Sequence, residues 1–338
     1  MRGGEPRTYR GRMRTTQPDL ATTSRHPERA SSELTSSPVE TFVAAQRRVL
    51  RRYGVDAESR FIPVPAIDGR AHVLTSGDGP PLMVVIGGTV PAVMWAPLMA
   101  QLTGYTLHAV DLPGFGLTDP VAYRPATMRS TVVDFLAQVL DGLGLGRTRF
   151  VTSSQGSLWT TWLSFDQPNR VAANVQIGCP AHILGTTAPL PMRLMSVPPI
   201  GRFMVRRQPP TTASVERIGR AVGEDLASLP ELRDALLACQ RLPTFAPSLL
   251  GLMNAVMRFG QARHQVALTA NQLARIYHPI QLLWGNDDPF GSPAVARRAA
   301  AIIPDAELHI LRGGHAPWFD HADEVAQLAG RFLAEHPQ

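Results

Sequence analysis

The stretch Arg149-Phe-Val-Thr-Ser-Ser-Gln-Gly-Ser157 is the most informative segment of this 338-residue chain. It starts as an apolar strand and then changes to small and polar side chains, with Gly156 two positions after Ser154. A sharp turn from a strand into a helix strains the backbone, so the residues around its tip must be small. The segment therefore predicts a strand, a tight turn with Ser154 at its tip, and a helix.

Two further segments supply the partners that such a serine needs. Trp284-Gly-Asn-Asp-Asp288 follows an apolar run, and Gly313-Gly-His315 precedes the last helical pattern. A serine hydroxyl is a poor nucleophile unless a base removes its proton, and a third group must hold the base in one tautomer. We therefore expect Ser154 to be the nucleophile, Asp288 the orienting acid and His315 the general base.

The order serine, acid, histidine resembles that of the α/β-hydrolases, whose nucleophile elbow reads G-x-S-x-G. Here Thr152 stands in place of the first glycine, and of the adjacent serines only Ser154 has a glycine two positions later. Asp288 stands where the family has the acid of its W-G-x-x-D motif, which favours it over Asp287.

The resemblance covers about residues 58–182 and 275–336. It implies an oxyanion hole made of two backbone N–H groups that face the developing negative charge. One belongs to Gln155, the residue after the nucleophile, and the other to Thr89, which follows an apolar strand. Relatives usually carry His-Gly where this chain has Gly87-Gly88.

Two further features are interpreted as the floor of the substrate pocket. Asp111-Leu-Pro-Gly-Phe-Gly-Leu-Thr118 is similar to the family's D-x-P-G-x-G-x-S loop, and Trp95 also stands at a familiar spacing. Both are expected to act as scaffold, because neither offers a proton to transfer. Gly88 and Trp95 are included among the residues expected to contact substrate.

Apolar runs alternate with helical patterns along most of the chain. This alternation predicts an α/β fold with a doubly wound, mostly parallel sheet and helices on both faces. An antiparallel strand pair is expected at its start. The predicted strands are 60–64, 72–75, 82–86, 105–110, 148–151, 171–177, 280–284 and 307–311, and the predicted helices are 95–102, 131–143, 158–165 and 322–333.

The alternation stops between residues 182 and 274, where proline-rich turns, helical stretches and several methionines occur. The resemblance places a helical lid, or cap, at this point. We therefore predict an α/β-hydrolase core over 58–181 and 275–338 with a cap over 182–274. Methionines adapt to varied apolar ligands, but at helical spacing they more often form core. The candidates for substrate contact are Met192, Met195, Met253 and Met257.

The excess positive charge lies entirely near the N-terminus. Residues 1–52 hold 11 arginines and 5 acidic residues, which accounts for the whole net charge of +6. Residues 1–36 are predicted to be a disordered basic arm. The capping box Ser37-Pro-Val-Glu40 predicts an amphipathic helix within 37–57, expected to pack on the domain rather than lie on a membrane surface. The neutral remainder gives no reason to expect nucleic-acid binding.

The composition argues against several other classes. The two cysteines, Cys179 and Cys239, show no metal-ligand spacing, so we expect no disulfide framework, no bound metal and no cofactor. Lysine is absent, which excludes Schiff-base chemistry. We find neither a run of about 18 apolar residues nor an export signal, and we predict a cytoplasmic protein.

Together these features predict a serine hydrolase that cleaves an ester-type bond of a medium-sized, largely apolar small molecule through an acyl-enzyme. Serine at position 154 argues against relatives with an aspartate nucleophile, such as haloalkane dehalogenases. Carbon–carbon bond hydrolysis and lactone opening use the same triad and stay open as alternatives. A retired hydrolase that only binds a small molecule also stays open, and the sequence does not determine the oligomeric state.

Overall fold

An eight-stranded sheet is the centre of the computed structural model, which describes residues 37–184 and 186–337. The predicted arm over 1–36 lies outside the described residues. The sheet contains β1 (Ala57–Val64), β2 (Gly69–Ser76), β3 (Pro81–Val85), β4 (Thr106–Val110), β5 (Thr148–Ser153), β6 (Val171–Ile177), β9 (Ile280–Gly285) and β10 (Ala306–Leu311), while β7 (Met257–Arg258) and β8 (Gln261–Ala262) form a separate hairpin.

The strand order in the sheet is β1-β2-β4-β3-β5-β6-β9-β10. β2 pairs antiparallel with both β1 and β4, and the other pairs are parallel. This confirms the predicted α/β fold with a mostly parallel sheet and an antiparallel pair at its start. Because parallel strands end at the same edge of a sheet, the loops that follow β3, β5, β6, β9 and β10 lie together.

Helices flank the sheet and fill the segment between β6 and β9. The segment over 182–274, which we call the insert, contains the helices between β6 and β9 and the β7–β8 hairpin, and this hairpin was not predicted. The helices are α1 (Pro38–Tyr53), α2 (Ala96–Met99), α3 (Met128–Gly142), α4 (Ser154–Asp166), α5 (Leu190–Met195), α6 (Pro198–Arg207), α7 (Thr212–Ala221), α8 (Pro230–Gln240), α9 (Phe245–Val256), α10 (Ala270–Leu273), α11 (Pro293–Ile302) and α12 (Ala322–Glu335).

The central strands are buried along their whole length. Every residue of β5, β6 and β9 is buried, as expected of parallel strands in a sheet covered on both faces. Helices α4 and α12 pack against β6, and α12 also packs against β9. The sheet edge that carries the candidate residues is therefore supported by a rigid, close-packed core.

Helix α1 is part of the folded domain. Its capping box is formed, because the Ser37 hydroxyl accepts the Glu40 N–H at 3.1 Å and the Glu40 carboxylate accepts the Ser37 N–H at 2.8 Å. Phe42 and Val49 are fully buried on the apolar face, which packs against α8 of the insert and against α2. None of the helices within 37–184 and 186–337 combines the length and the apolar composition that a membrane span requires.

Replacing Phe42 with alanine is expected to lower the free energy of unfolding by about 3–5 kcal/mol, because a buried ring is lost and a cavity remains. Val39→Ala on the same helix is the control, since Val39 is 48% exposed. Urea unfolding followed by circular dichroism compares the two variants. Equal small losses would contradict the packing of α1 on the domain.

The prediction of one continuous helix over 95–102 is wrong. The structure has a 3-10 turn over Ala92–Trp95 followed by the short helix α2, and Gly104 then adopts a positive φ of 80°. Pro97 lies in the first turn of α2, where a missing N–H costs no helical hydrogen bond, so it suits the start of this short helix.

Candidate active site

Ser154 lies at the tip of the turn between β5 and α4. Its φ is +48°, a left-handed conformation that is unusual for a residue other than glycine. Between Thr148 and Ser164 it is the one residue that is not buried. The turn therefore presents the Ser154 side chain at the surface of an otherwise closed strand–helix junction.

The two preceding residues point into the protein. The Ser153 hydroxyl accepts the backbone N–H of Gly87 at 3.2 Å, which ties β5 to the loop after β3. The Thr152 hydroxyl lies 3.0 Å from the Ser157 hydroxyl and donates to the Asn174 side-chain oxygen at 3.0 Å. Thr152 is therefore accommodated in place of glycine because its buried hydroxyl has partners on α4 and β6.

Two glycines allow the backbone to approach the turn closely. A Cβ added to Gly87 would stand 2.5 Å from the Ser154 Cβ and 2.7 Å from the Gln155 nitrogen. A Cβ added to Gly156 would stand 2.8 Å from the carbonyl oxygen of Ile86. All three distances are too short for real atoms, so larger residues at either position would displace the turn.

Asp288, which is buried, and His315, which is partly buried, form a hydrogen-bonded pair in the loops after β9 and β10. The Asp288 carboxylate has one oxygen 2.8 Å from His315 Nδ1, and that oxygen also accepts the Cys179 N–H at 2.8 Å. The other oxygen accepts the Phe290 N–H at 2.9 Å. Asp288 is buried, whereas Asp287 is exposed, so the structure selects the predicted carboxylate for the contact with His315.

The loop after β6 contacts all three residues. Its Gly178 has a φ of +73° and lies against His315, where an added Cβ would be 3.3 Å from Nδ1. The Cys179 N–H binds Asp288 at 2.8 Å, and the Ala181 N–H donates to the Ser154 carbonyl at 3.1 Å. One short segment thus fixes the serine turn relative to the acid–histidine pair.

Because Asp288 contacts Nδ1 of His315, the other ring nitrogen, Nε2, is the one that could accept a proton. Among the described residues, no hydrogen bond joins the Ser154 hydroxyl to His315. Such contacts often tighten only when substrate binds. The ring of Phe290 lies against that of His315, with centroids 4.3 Å apart, and gives this side of the imidazole an apolar neighbour.

The predicted oxyanion donors belong to two segments, the start of α4 and the loop after β3. Gln155 is the second residue of α4, so its backbone N–H belongs to the helix start and has no partner within the helix. Gly87 cannot supply its own N–H because Ser153 accepts it. Gly88, with φ +65°, and Thr89 follow it and are both only partly buried.

A family model described as the alpha/beta hydrolase family matches residues 73–328. The chain belongs to the α/β-hydrolase family. It is similar to the pimeloyl-(acyl-carrier protein) methyl ester esterase of Shewanella sp. (strain MR-7), with 28% identity over 298 residues that cover 80% of this chain and 97% of that protein.

A second kind of relative carries a different activity in its name. The 2-hydroxy-6-oxononadienedioate/2-hydroxy-6-oxononatrienedioate hydrolase of Cupriavidus pinatubonensis is 30% identical over 290 residues, which cover 81% of this chain and 95% of that protein. Among solved structures, carboxylesterase CesB (YbfK) from Bacillus subtilis matches with a TM-score of 0.71 and 20% identity, over 89% of this chain and 99% of that one. At this identity the structural match shows the fold alone.

The remaining predicted contact residues of this α/β-hydrolase differ in exposure. Trp95 is fully buried and stacks on Trp318 with ring centroids 4.3 Å apart. Met253 and Met257 are buried in the hydrophobic core, whereas Met192 and Met195 are partly buried. This burial fits the interpretation of the methionines as core of the insert, and their contact with substrate stays a prediction.

Asp111, in the loop that resembles the D-x-P-G-x-G-x-S motif, is fully buried and holds several backbone segments. One oxygen accepts the Ala92 N–H at 2.6 Å, and the other accepts the Leu117 N–H at 2.9 Å and lies 2.7 Å from His72 Nδ1. His72 in turn lies 3.1 Å from the Ser59 hydroxyl. These contacts fit the expected scaffold role.

One residue near the histidine was missed by the sequence reasoning. Glu224, from the insert, is 4% exposed and accepts the Ala316 N–H at 2.6 Å. Burial raises its pKa to about 7, although the Ala316 N–H and the charge of His315 act in the opposite direction.

In the part of the chain that the structure describes, no group of three or more His, Cys, Asp or Glu side chains is arranged to hold a metal ion.

Proposed function

We propose that this α/β-hydrolase cleaves an ester-type bond of a medium-sized, largely apolar small molecule through an acyl-enzyme on Ser154. The observation that carries the proposal is the partial exposure of Ser154 alone within a buried strand–helix junction, on the sheet edge that also holds the hydrogen-bonded Asp288–His315 pair. A partly exposed serine on a strained turn, on the same sheet edge as an oriented imidazole, is the arrangement that nucleophilic catalysis requires.

In the proposed mechanism, His315 Nε2 removes the proton of the Ser154 hydroxyl as its oxygen attacks the substrate carbonyl. Asp288 holds Nδ1 and stabilises the positive charge that forms on the ring. The N–H groups of Gln155 and Thr89 face the oxyanion of the tetrahedral intermediate. The leaving alcohol takes the proton from His315, and water activated by the same ring then releases the acid.

The relatives support hydrolysis and leave two bond types to compare. The Shewanella protein is named for a methyl ester, which favours ester cleavage as the first candidate. The Cupriavidus protein, which is 30% identical, is named for the hydrolysis of an oxo-dienedioate, so carbon–carbon bond cleavage is the second candidate. The same triad serves both reactions, and substrate contacts from the insert would decide between them.

The apolar neighbour of His315 and the composition of the insert support an apolar substrate. Phe290 lies against His315, and the partly buried Met192 and Met195 belong to the insert, which we propose acts as a lid.

Both cysteines are free and buried. Unpaired thiols suit a reducing compartment, and we propose the cytoplasm as the location.

A panel of p-nitrophenyl esters from acetate to laurate tests the ester proposal. We expect turnover with kcat on the order of 1 s⁻¹ or more, highest at an intermediate chain length because the proposed substrate is apolar and medium-sized. A 2-hydroxy-6-oxo-dienoate, followed by the loss of its absorbance, is measured beside the panel. Cleavage of the dienoate alone would favour the second candidate, and no turnover with either would contradict the proposal.

A further inference from the structure

The insert reaches the histidine loop through the end of helix α7. The helix closes with a Schellman turn, in which Gly223 donates to the Arg220 carbonyl at 3.2 Å and Glu224 donates to the Gly219 carbonyl at 2.9 Å. Gly223 has the positive φ of 83° that this turn requires. The turn therefore stops the helix and fixes the direction in which the chain leaves it, beginning with Glu224.

This turn packs directly on the loop that carries His315. The His315 N–H donates to the Val222 carbonyl at 3.0 Å, and the next N–H, of Ala316, donates to Glu224 Oε1 at 2.6 Å. Next to these two bonds the backbones touch, since a Cβ added to Gly223 would stand 2.8 Å from Cα of Gly314, the residue before His315. The backbone on both sides of the His315 side chain is thus held by the insert.

The Glu224 carboxylate is costly where it lies. The charged groups near it are His315, Asp288 and Asp320, and burial raises its pKa to about 7. A buried carboxylate destabilises a fold unless it is well paired, and a neutral amide could accept the same Ala316 N–H without that cost. Stability alone therefore does not explain glutamate at this position.

We propose that Glu224 is a positioning residue, which fixes the histidine loop through Ala316 and places a negative charge behind the imidazolium that forms during turnover. The inference rests on the proposed role of His315 as general base. On this proposal the insert helps to position the histidine loop, in addition to its proposed role as a lid. The charge adds to that of Asp288, which reaches the ring through Nδ1.

The first test is the pH dependence of Glu224→Gln, which keeps an acceptor for Ala316 and removes the charge. Because the pKa of Glu224 is about 7, the wild-type carboxylate is mostly charged above that pH and mostly neutral below it. We expect kcat to fall about tenfold at about pH 8 and by much less at about pH 6, with KM nearly unchanged. Asp225→Asn, at the exposed neighbouring acid, is the control and should keep wild-type values.

Thermal stability separates this role from a structural one. The folded protein favours protonated Glu224, so the resulting stability is present below about pH 4.5 and is lost as the pH rises through about 7. Glu224→Gln avoids that loss and should have a higher Tm than wild type at about pH 8, with no such gain at about pH 5. A slower but more stable variant supports the proposal. Wild-type kcat at about pH 8, or a lowered Tm with equal losses of kcat at both pH values, would overturn it.

A readout that needs no turnover keeps the inference separate from the proposed function. If the wild type hydrolyses neither an ester nor the dienoate, the proposed function fails. NMR signals of the histidine rings still report whether the Glu224 charge acts on His315. In Glu224→Gln at about pH 8, the ring signals of His315 should move, while those of the remote His278 stay in place. Unchanged His315 signals would overturn the inference.

Discussion

Ser154→Ala is expected to lower kcat/KM for the best p-nitrophenyl ester by about a thousandfold or more, with no change in the circular dichroism spectrum. The substitution removes the oxygen that forms the covalent bond to the acyl group. Because Ser154 is partly exposed, the loss of its hydroxyl leaves no buried polar group without a partner. Initial rates and thermal unfolding of the purified variant measure both effects.

Ser153→Ala is the matched control for this prediction. The Ser153 hydroxyl is buried and accepts the Gly87 N–H at 3.2 Å, so its removal should cost about 1 kcal/mol of stability. It does not face the substrate, and we expect most of the activity to remain. If Ser153→Ala were inactive and Ser154→Ala active, the assignment of the nucleophile would be wrong by one residue.

Asp288→Asn is expected to lower kcat by about 10³- to 10⁴-fold with little change in KM. One carboxylate oxygen of Asp288 lies between the Cys179 N–H and His315 Nδ1, and the other accepts the Phe290 N–H. An amide has one oxygen for these positions, so its NH₂ group must face a donor in either orientation. His315 would then have a neutral oxygen beside Nδ1 in one orientation and no acceptor in the other, so its tautomer and its positive charge would be held less well.

Asp287→Asn isolates the effect of position from that of charge. Asp287 is exposed and next in sequence to Asp288, so both variants remove one carboxylate from the same loop. We expect kcat of Asp287→Asn to stay within about twofold of wild type, because an exposed charge is screened by solvent. A larger loss for Asp287→Asn than for Asp288→Asn would reverse the assignment of the acid.

The sequence predicted the sheet well because buried parallel strands are continuous apolar runs. Strand β5 nevertheless extends two residues beyond the predicted end, through Thr152 and Ser153. These polar residues are tolerated inside because Asn174, Ser157 and Gly87 satisfy their hydroxyls. Helix periodicity predicted α4 only from residue 158 onward, since the serine and glycine residues at its start carry no apolar pattern.

The β7–β8 hairpin shows where local signals were too weak. Its turn residues, Phe259 and Gly260, both have positive φ values, of 50° and 78°. Such two-residue turns are usually recognised by Asn-Gly or Asp-Gly, and phenylalanine is unfavourable at the first position. A strand of two residues also offers no alternation to detect.

The position of Glu224 could not be predicted from the sequence. Its bond to Ala316 joins residues 92 positions apart, between the insert and the core, and no motif connects them. Asp225 beside it is chemically similar and exposed. Only the packing of Gly223 on Gly314 brings one of these two acids, and not the other, to the histidine loop.

The most direct measurement of the central claim is the location of a covalent adduct. Wild-type protein is incubated with a fluorophosphonate, digested, and sequenced by tandem mass spectrometry, with Ser154→Ala and Ser153→Ala treated in parallel. The account predicts one adduct, on Ser154, in the wild type and in Ser153→Ala, and none in Ser154→Ala. An adduct on Ser153 or on another residue, or a folded wild-type protein that does not react, would contradict it.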